Sequence, residues 1–173
     1  MGSFEPLENV AAFFHLGGSV LYPLFGVTLL MWAFILERFC YFWMVQKSTA
    51  KLIVQKWTER ADHSSWFAKK IRAQLISEAG QEAQMFLSVI KTMVGLCPLL
   101  GLLGTVTGMI EVFDIMALVG TGNVRAMASG VSKATVPTMA GMTAALSGVY
   151  FVARLDARAK RVVVELEDAL PVA

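Results

Sequence analysis

The sequence predicts an all-α, polytopic membrane protein in which three transmembrane helices are extended by cytoplasmic helices. Three observations lead there. Apolar residues fill 56% of the 173 positions and charged residues only 16%, with a mean hydropathy of +0.61, whereas a soluble domain carries roughly a quarter charged residues. Three long runs are almost free of charge. Between and after them, apolar residues recur at helical spacing. So few charges cannot cover the surface of a small soluble globule, so that surface faces lipid.

The whole chain, residues 1–173, reads as one membrane domain whose elements follow in order. Residues 1–17 form an amphipathic segment suited to a membrane interface: Phe4, Leu7, Ala11 and Phe14 make one apolar stripe, and Gly17 and Gly18 end it. Glu5 and Glu8 stand where a secretory signal would carry lysine or arginine. The first span is expected over 18–40, since Gly17 to Leu36 is uncharged and about 20 apolar residues cross a hydrocarbon core. Glu37 and Arg38 close it, and Tyr41, Phe42 and Trp43 follow as an interfacial aromatic cluster. A loop over 45–84 has no proline and only Gly80, and carries apolar residues at helical spacing in two pieces, with a turn at Ala61 to Ser65. The second span is expected over 86–112, with Lys91 close enough to its start to snorkel. An outer turn takes 113–126, the third span 128–153, and a helical tail 154–173.

Charge sets the orientation. The loop between spans one and two holds Lys47, Lys51, Lys56, Arg60, Lys69, Lys70 and Arg72, and the tail holds Arg154, Arg158, Lys160 and Arg161. The amino-terminal segment has no such residue and the outer turn only Arg125. The positive-inside rule therefore puts the amino terminus outside and the loop and tail in the cytoplasm. The net charge of +2 and the lack of a basic stripe interleaved with aromatics exclude a nucleic-acid partner. Cys40 and Cys97 lie in apolar segments without CxxC spacing, and His15 and His63 stand alone. No metal site, cofactor or catalytic set is expected.

The second and third spans each carry a face of small residues. Gly101, Gly104, Thr105 and Gly108 share one side of a helix, as do Ala134, Thr138, Gly141, Ala145 and Gly148. Such faces bring helices close together, and packing is preferred to pore lining for the glycines. Thr105 and Thr138 fall at similar depth on either side of the outer turn. Their hydroxyls either serve an ion-pathway water or a partner's polar group, or bond back to their own helix. Pro137 is expected to kink the third span. Lys133 and Glu111 are the intramembrane charges, and the candidate counter-charge for Lys133 is Glu111 or a carboxylate of a partner. No carboxylate lies at mid-membrane, so a proton relay needs a titrating group from another subunit.

The run PLLGLLGTVTGMI over residues 98–110, with Cys97 before it and Phe113 after, resembles the second-span signature of the ExbB/TolQ/MotA family. Ala134 to Gly141, the Leu36-Glu37-Arg38 close of span one and the three-span topology fit as well, and the likeness is nearest to the ExbB branch. It implies a pentameric, non-enzymatic stator in the bacterial inner membrane, periplasmic at its amino terminus and cytoplasmic at its carboxy terminus. The stator would surround a single-span ExbD-type partner and use the proton gradient to drive a TonB-type protein that energises outer-membrane uptake. It implies a pore-lining role for Thr105 and Thr138. A TolQ-type subunit of the Tol system, or a non-conducting membrane scaffold, are the alternatives. Lys133 departs from the glutamate that many ExbB proteins carry near the start of the third span.

Overall fold

The structure, a computed structural model, describes residues 13–14, 17–44, 46–59, 65–119 and 124–171. All the regular structure among them is helical: α1 (Leu21–Met44), α2 (Gln46–Thr58), α3 (Trp66–Gln84), α4 (Leu87–Val119) and α5 (Val124–Ala169). Three helical stretches are long and apolar enough to cross a membrane. Most of the expected 1–17 segment lies outside the described residues, as do His15, His63 and the turn from Ala61.

Two expected boundaries shift. Residues 113–119 and 124–126, assigned to the outer turn, are helical. The run Ile115-Met116-Ala117-Leu118 offers no Gly or Pro to stop α4 after Glu111 and Asp114. α5 runs as one helix through Pro137, where a kink is expected. Pro98 is likewise inside α4.

The chain forms two compact units. The first comprises Met1–Trp32 and Thr92–Val149, the second Ala33–Lys91 and Tyr150–Ala173. In the first unit, α1 starts after a turn in which Gly18 has φ +68° and the Leu21 amide donates to the Gly18 carbonyl at 3.3 Å. Pro23 sits in the first turn, where its missing N–H costs nothing. Leu21, Leu24, Cys97 and Ala145 build a buried cluster from α1, α4 and α5, with Phe14 packed on it. Large side chains such as Leu29, Leu102, Ile110, Met139 and Leu146 stay more than half exposed, as the lipid-facing side of a spanning helix should.

Of all the lysines and arginines, only Arg125 and Lys133 fall in the first unit; the second holds the rest. Here Ser65 caps α3, its hydroxyl accepting from the Phe67 and Ala68 amides at 3.1 and 3.4 Å. Arg72 in turn caps the end of α5, donating to the Leu170 and Glu167 carbonyls at 2.5 and 2.7 Å. Gly80 lets α3 approach α5, since an added Cβ would sit 3.1 Å from Val163. Lys91 and Lys160 reach Asp156 at 2.6 and 2.9 Å, and these hydrogen bonds, the Lys91 one foremost, hold its carboxyl below the usual range.

Arg38 is almost fully buried. Its guanidinium donates to Glu37 and to the Glu82 carbonyl, both at 3.0 Å, and lies 4.8 and 5.1 Å from the Tyr41 and Phe86 ring centres. Phe86 has φ 63°, the left-handed conformation that breaks α3 from α4, and its ring stacks on Phe34 at 5.5 Å. Arg38 thus ties α1 to the α3–α4 elbow. In the sequence it reads only as the charge ending a span.

Candidate functional site

Inside the first unit, the two small-residue faces meet each other. A Cβ added at Gly108 would lie 2.7 Å from the Ala134 Cα, and one at Gly141 2.5 Å from the Cys97 carbonyl oxygen. At Gly101 it would come within 3.0 Å of the Thr138 Cα, and at Gly104 it would run into the Pro137 ring. Gly148 faces Val94 and Met31, and Ala145 joins the buried cluster with α1. The register is antiparallel: Cys97 opposite Gly141, Gly101 opposite Thr138, Gly104 opposite Pro137, and Gly108 opposite Ala134. Backbone approach this close needs a small residue, here a glycine, on at least one side of each pair. Pro137, fully buried, fills the space that Gly104 leaves.

This register places the two threonines within about one helical turn of each other in depth. Their hydroxyls behave differently. Thr138 donates across the interface to the Gly101 carbonyl at 2.9 Å. Thr105 donates to the Leu102 carbonyl of its own helix at 2.7 Å. Both side chains remain partly exposed, and a hydroxyl that spends its proton on a carbonyl keeps lone pairs to accept with. In this arrangement each threonine offers an acceptor, not a donor.

Towards the α4–α5 turn, Lys133 Nζ lies 2.9 Å from Glu111 Oε2, with side chains 38% and 47% exposed. The ammonium near the start of the third span therefore has its counter-charge within the chain. Glu111 and Asp114 are the only carboxylates among the described residues of this unit, and neither is level with the threonines. Among the described residues, no group of His, Cys, Asp and Glu could hold a metal ion.

Sequence reasoning missed the role of Pro137 as the counterpart of Gly104. The signal was present: a lone proline among Ala, Thr and Gly, facing a glycine-rich helix, is a packing partner as readily as a kink.

Together these features define an all-helical, multi-pass membrane protein whose second and third spans interlock through small residues. The model of the MotA/TolQ/ExbB proton channel family matches residues 44–168, and the chain belongs to that family. The "Putative biopolymer transport protein ExbB-like 3" of Synechocystis sp. is 29% identical, over 78% of this chain and 79% of that protein. "Putative biopolymer transport protein ExbB-like 1" of the same organism is 43% identical over 61 residues, 34% of this chain and 24% of that protein. No solved structure matches the chain.

Proposed function

We propose that the chain is the stator subunit of a proton-driven motor which, with a single-span ExbD-type partner, energises TonB-dependent transport across the outer membrane. Membership of the proton channel family supports the coarser part of this reading. The observation that carries the rest is the pair Thr105 and Thr138. Two hydroxyl acceptors lie within about one helical turn of each other on interlocked helices, and the described residues of that unit supply no carboxylate between them. An acceptor in an apolar setting favours a neutral, protonated acid over an ionised one, because a carboxylate has no proton to donate to it. A carboxyl group on the partner would then be held protonated beside the threonines and lose its proton on reaching water. The stator conducts no covalent chemistry in this scheme. Assembly is a homopentamer in the bacterial inner membrane, with the amino terminus periplasmic.

Replacing both threonines by valine keeps their shape and removes the acceptors. The Gly101 carbonyl loses the Thr138 hydroxyl but keeps its place in the α4 ladder, so the fold should weaken by no more than about 1 kcal/mol. The double variant should assemble on a native gel yet lose gradient-dependent siderophore-type uptake, and the double serine variant should recover it. Normal uptake in the valine variant would sink the pathway. Co-purification distinguishes the ExbD and TonB pairing from the TolR and TolA pairing of a Tol-type subunit.

A further inference from the structure

We propose that a groove between α1 and α5 in the second unit binds the phosphate headgroup of an anionic phospholipid. The groove holds about 180 Å³ and is floored by Ile35 and Leu155, with Phe39 and Tyr150 beside them and Arg154 and Arg158 at its rim. The floor residues are buried, whereas Phe39 and Tyr150 are about half exposed. Arg154 and Arg158 are one helical turn apart and share a face. Aromatic rings orient both: the Arg154 guanidinium lies 5.4 Å from the Tyr150 ring centre and donates to its hydroxyl at 3.1 Å. Arg158 lies 5.7 Å from the Phe39 ring centre.

Several other cations of this unit are already engaged. Lys91 and Lys160 converge on Asp156, Arg72 caps α5, and Arg38 pairs with Glu37. Among the described residues, neither Arg154 nor Arg158 has a carboxylate within ion-pair distance. Two guanidinium groups, each a planar fork of N–H donors, thus line one groove with donors unspent, which suits a phosphate monoanion.

Depth selects a lipid as the source of that phosphate. Arg154 is the first charge after the apolar run that ends at Ala153, and Phe39 follows the first charges after span one. Both helices therefore pass from apolar to charged sequence at the groove, which is headgroup level for a spanning helix. The exposed apolar side chains of Phe39 and Tyr150 that line the groove give an acyl chain a surface that free phosphate would leave uncovered. Basic pockets between spanning helices are suited to acidic headgroups on electrostatic grounds. This inference rests on the chain spanning a bilayer, not on proton conduction.

The test is native mass spectrometry of the full chain, extracted from membranes and equilibrated with phosphatidylglycerol or phosphatidylcholine. The wild type should retain phosphatidylglycerol with at least a fivefold preference. Arg154→Gln with Arg158→Gln should lose that preference, while Lys51→Gln with Lys69→Gln, which removes the same charge elsewhere, should keep it. Equal retention of the two lipids by the wild type would overturn the proposal even if the arginine variant failed to fold. A preference that survives in a folded arginine variant would overturn it too, as would displacement of the lipid by millimolar inorganic phosphate, which assigns the groove to a free anion. Alkaline carbonate extraction reads membrane insertion separately: release of the chain would mean that the spanning reading, not the groove, had failed.

Discussion

Lys133 is the one charged residue in the run from Met127 to Ala153, and the energetic question is how it is tolerated. A lysine at the centre of a spanning helix costs about 2.5–3.5 kcal/mol, and less near the end. The ion pair with Glu111 at 2.9 Å lowers that cost by making the local site neutral. Both side chains are more than a third exposed, so in water the pair would contribute no more than about 1 kcal/mol; next to lipid it contributes more. Lys133→Leu strands Glu111, and Glu111→Leu strands Lys133, so each single change should weaken the assembled complex. The double leucine variant should be less damaged than the sum of the two, and the exchanged pair Lys133→Glu with Glu111→Lys should recover assembly. A native-gel double-mutant cycle with no coupling would mean that Lys133 snorkels independently. In the sequence Glu111 was legible as one of two candidates for the counter-charge, a partner's carboxylate being the other, because a charge isolated in such a run needs a partner and spacing alone does not choose it. Arg38 was not, because nothing in Glu37-Arg38 distinguishes a residue left at an interface from one clamped between Tyr41, Phe86 and the Glu82 carbonyl.

At the scale of elements, what holds α4 to α5 is the absence of side chains. Gly108 and Gly141 bring the helices so close that a methyl group would meet backbone atoms at 2.7 and 2.5 Å, and backbone cannot swing aside as a side-chain tip can. Gly108→Ala should therefore force the helices apart and cost about 1–3 kcal/mol, the usual cost of overpacking. Gly95 lies on the same helix with nothing within 4 Å of an added Cβ. Gly95→Ala should be neutral or stabilising by up to about 1 kcal/mol, through helix propensity alone. Thermal unfolding in detergent, followed by helical circular dichroism, compares the two; equal midpoints would show that this interface does not hold the bundle. The existence of these elements was readable because charge-free runs and small residues at three- and four-residue spacing leave few alternatives to packed spanning helices. Their ends were less so. The helix continues to Val119 because charges such as Glu111 and Asp114 mark where an apolar environment stops, and they do not stop a helix. Ring packing of Pro137 on Gly104 depends on register, which spacing within one helix does not give.

At the scale of the whole molecule, the distribution of charge carries the topology. The first unit keeps only Arg125 and Lys133 of the lysines and arginines, whereas α3 and the end of α5 in the second are rich in them. Cations near the ends of spanning segments are retained on the cytoplasmic side, and the proposed orientation therefore predicts that residues 69 and 118 are labelled from opposite compartments. Lys69 on α3 and Leu118 near the end of α4 are exposed and suit cysteine labelling. Cys40 is exposed and Cys97 buried, so Cys40→Ser comes first, to remove the reactive background. In that background, Leu118→Cys should react with a membrane-impermeant maleimide in intact spheroplasts. Lys69→Cys should react only after the membrane is opened. Reversed reactivity would invert the proposed orientation. Labelling of both from one side would require an even number of crossings between residues 69 and 118, and α4 could then not be a single span.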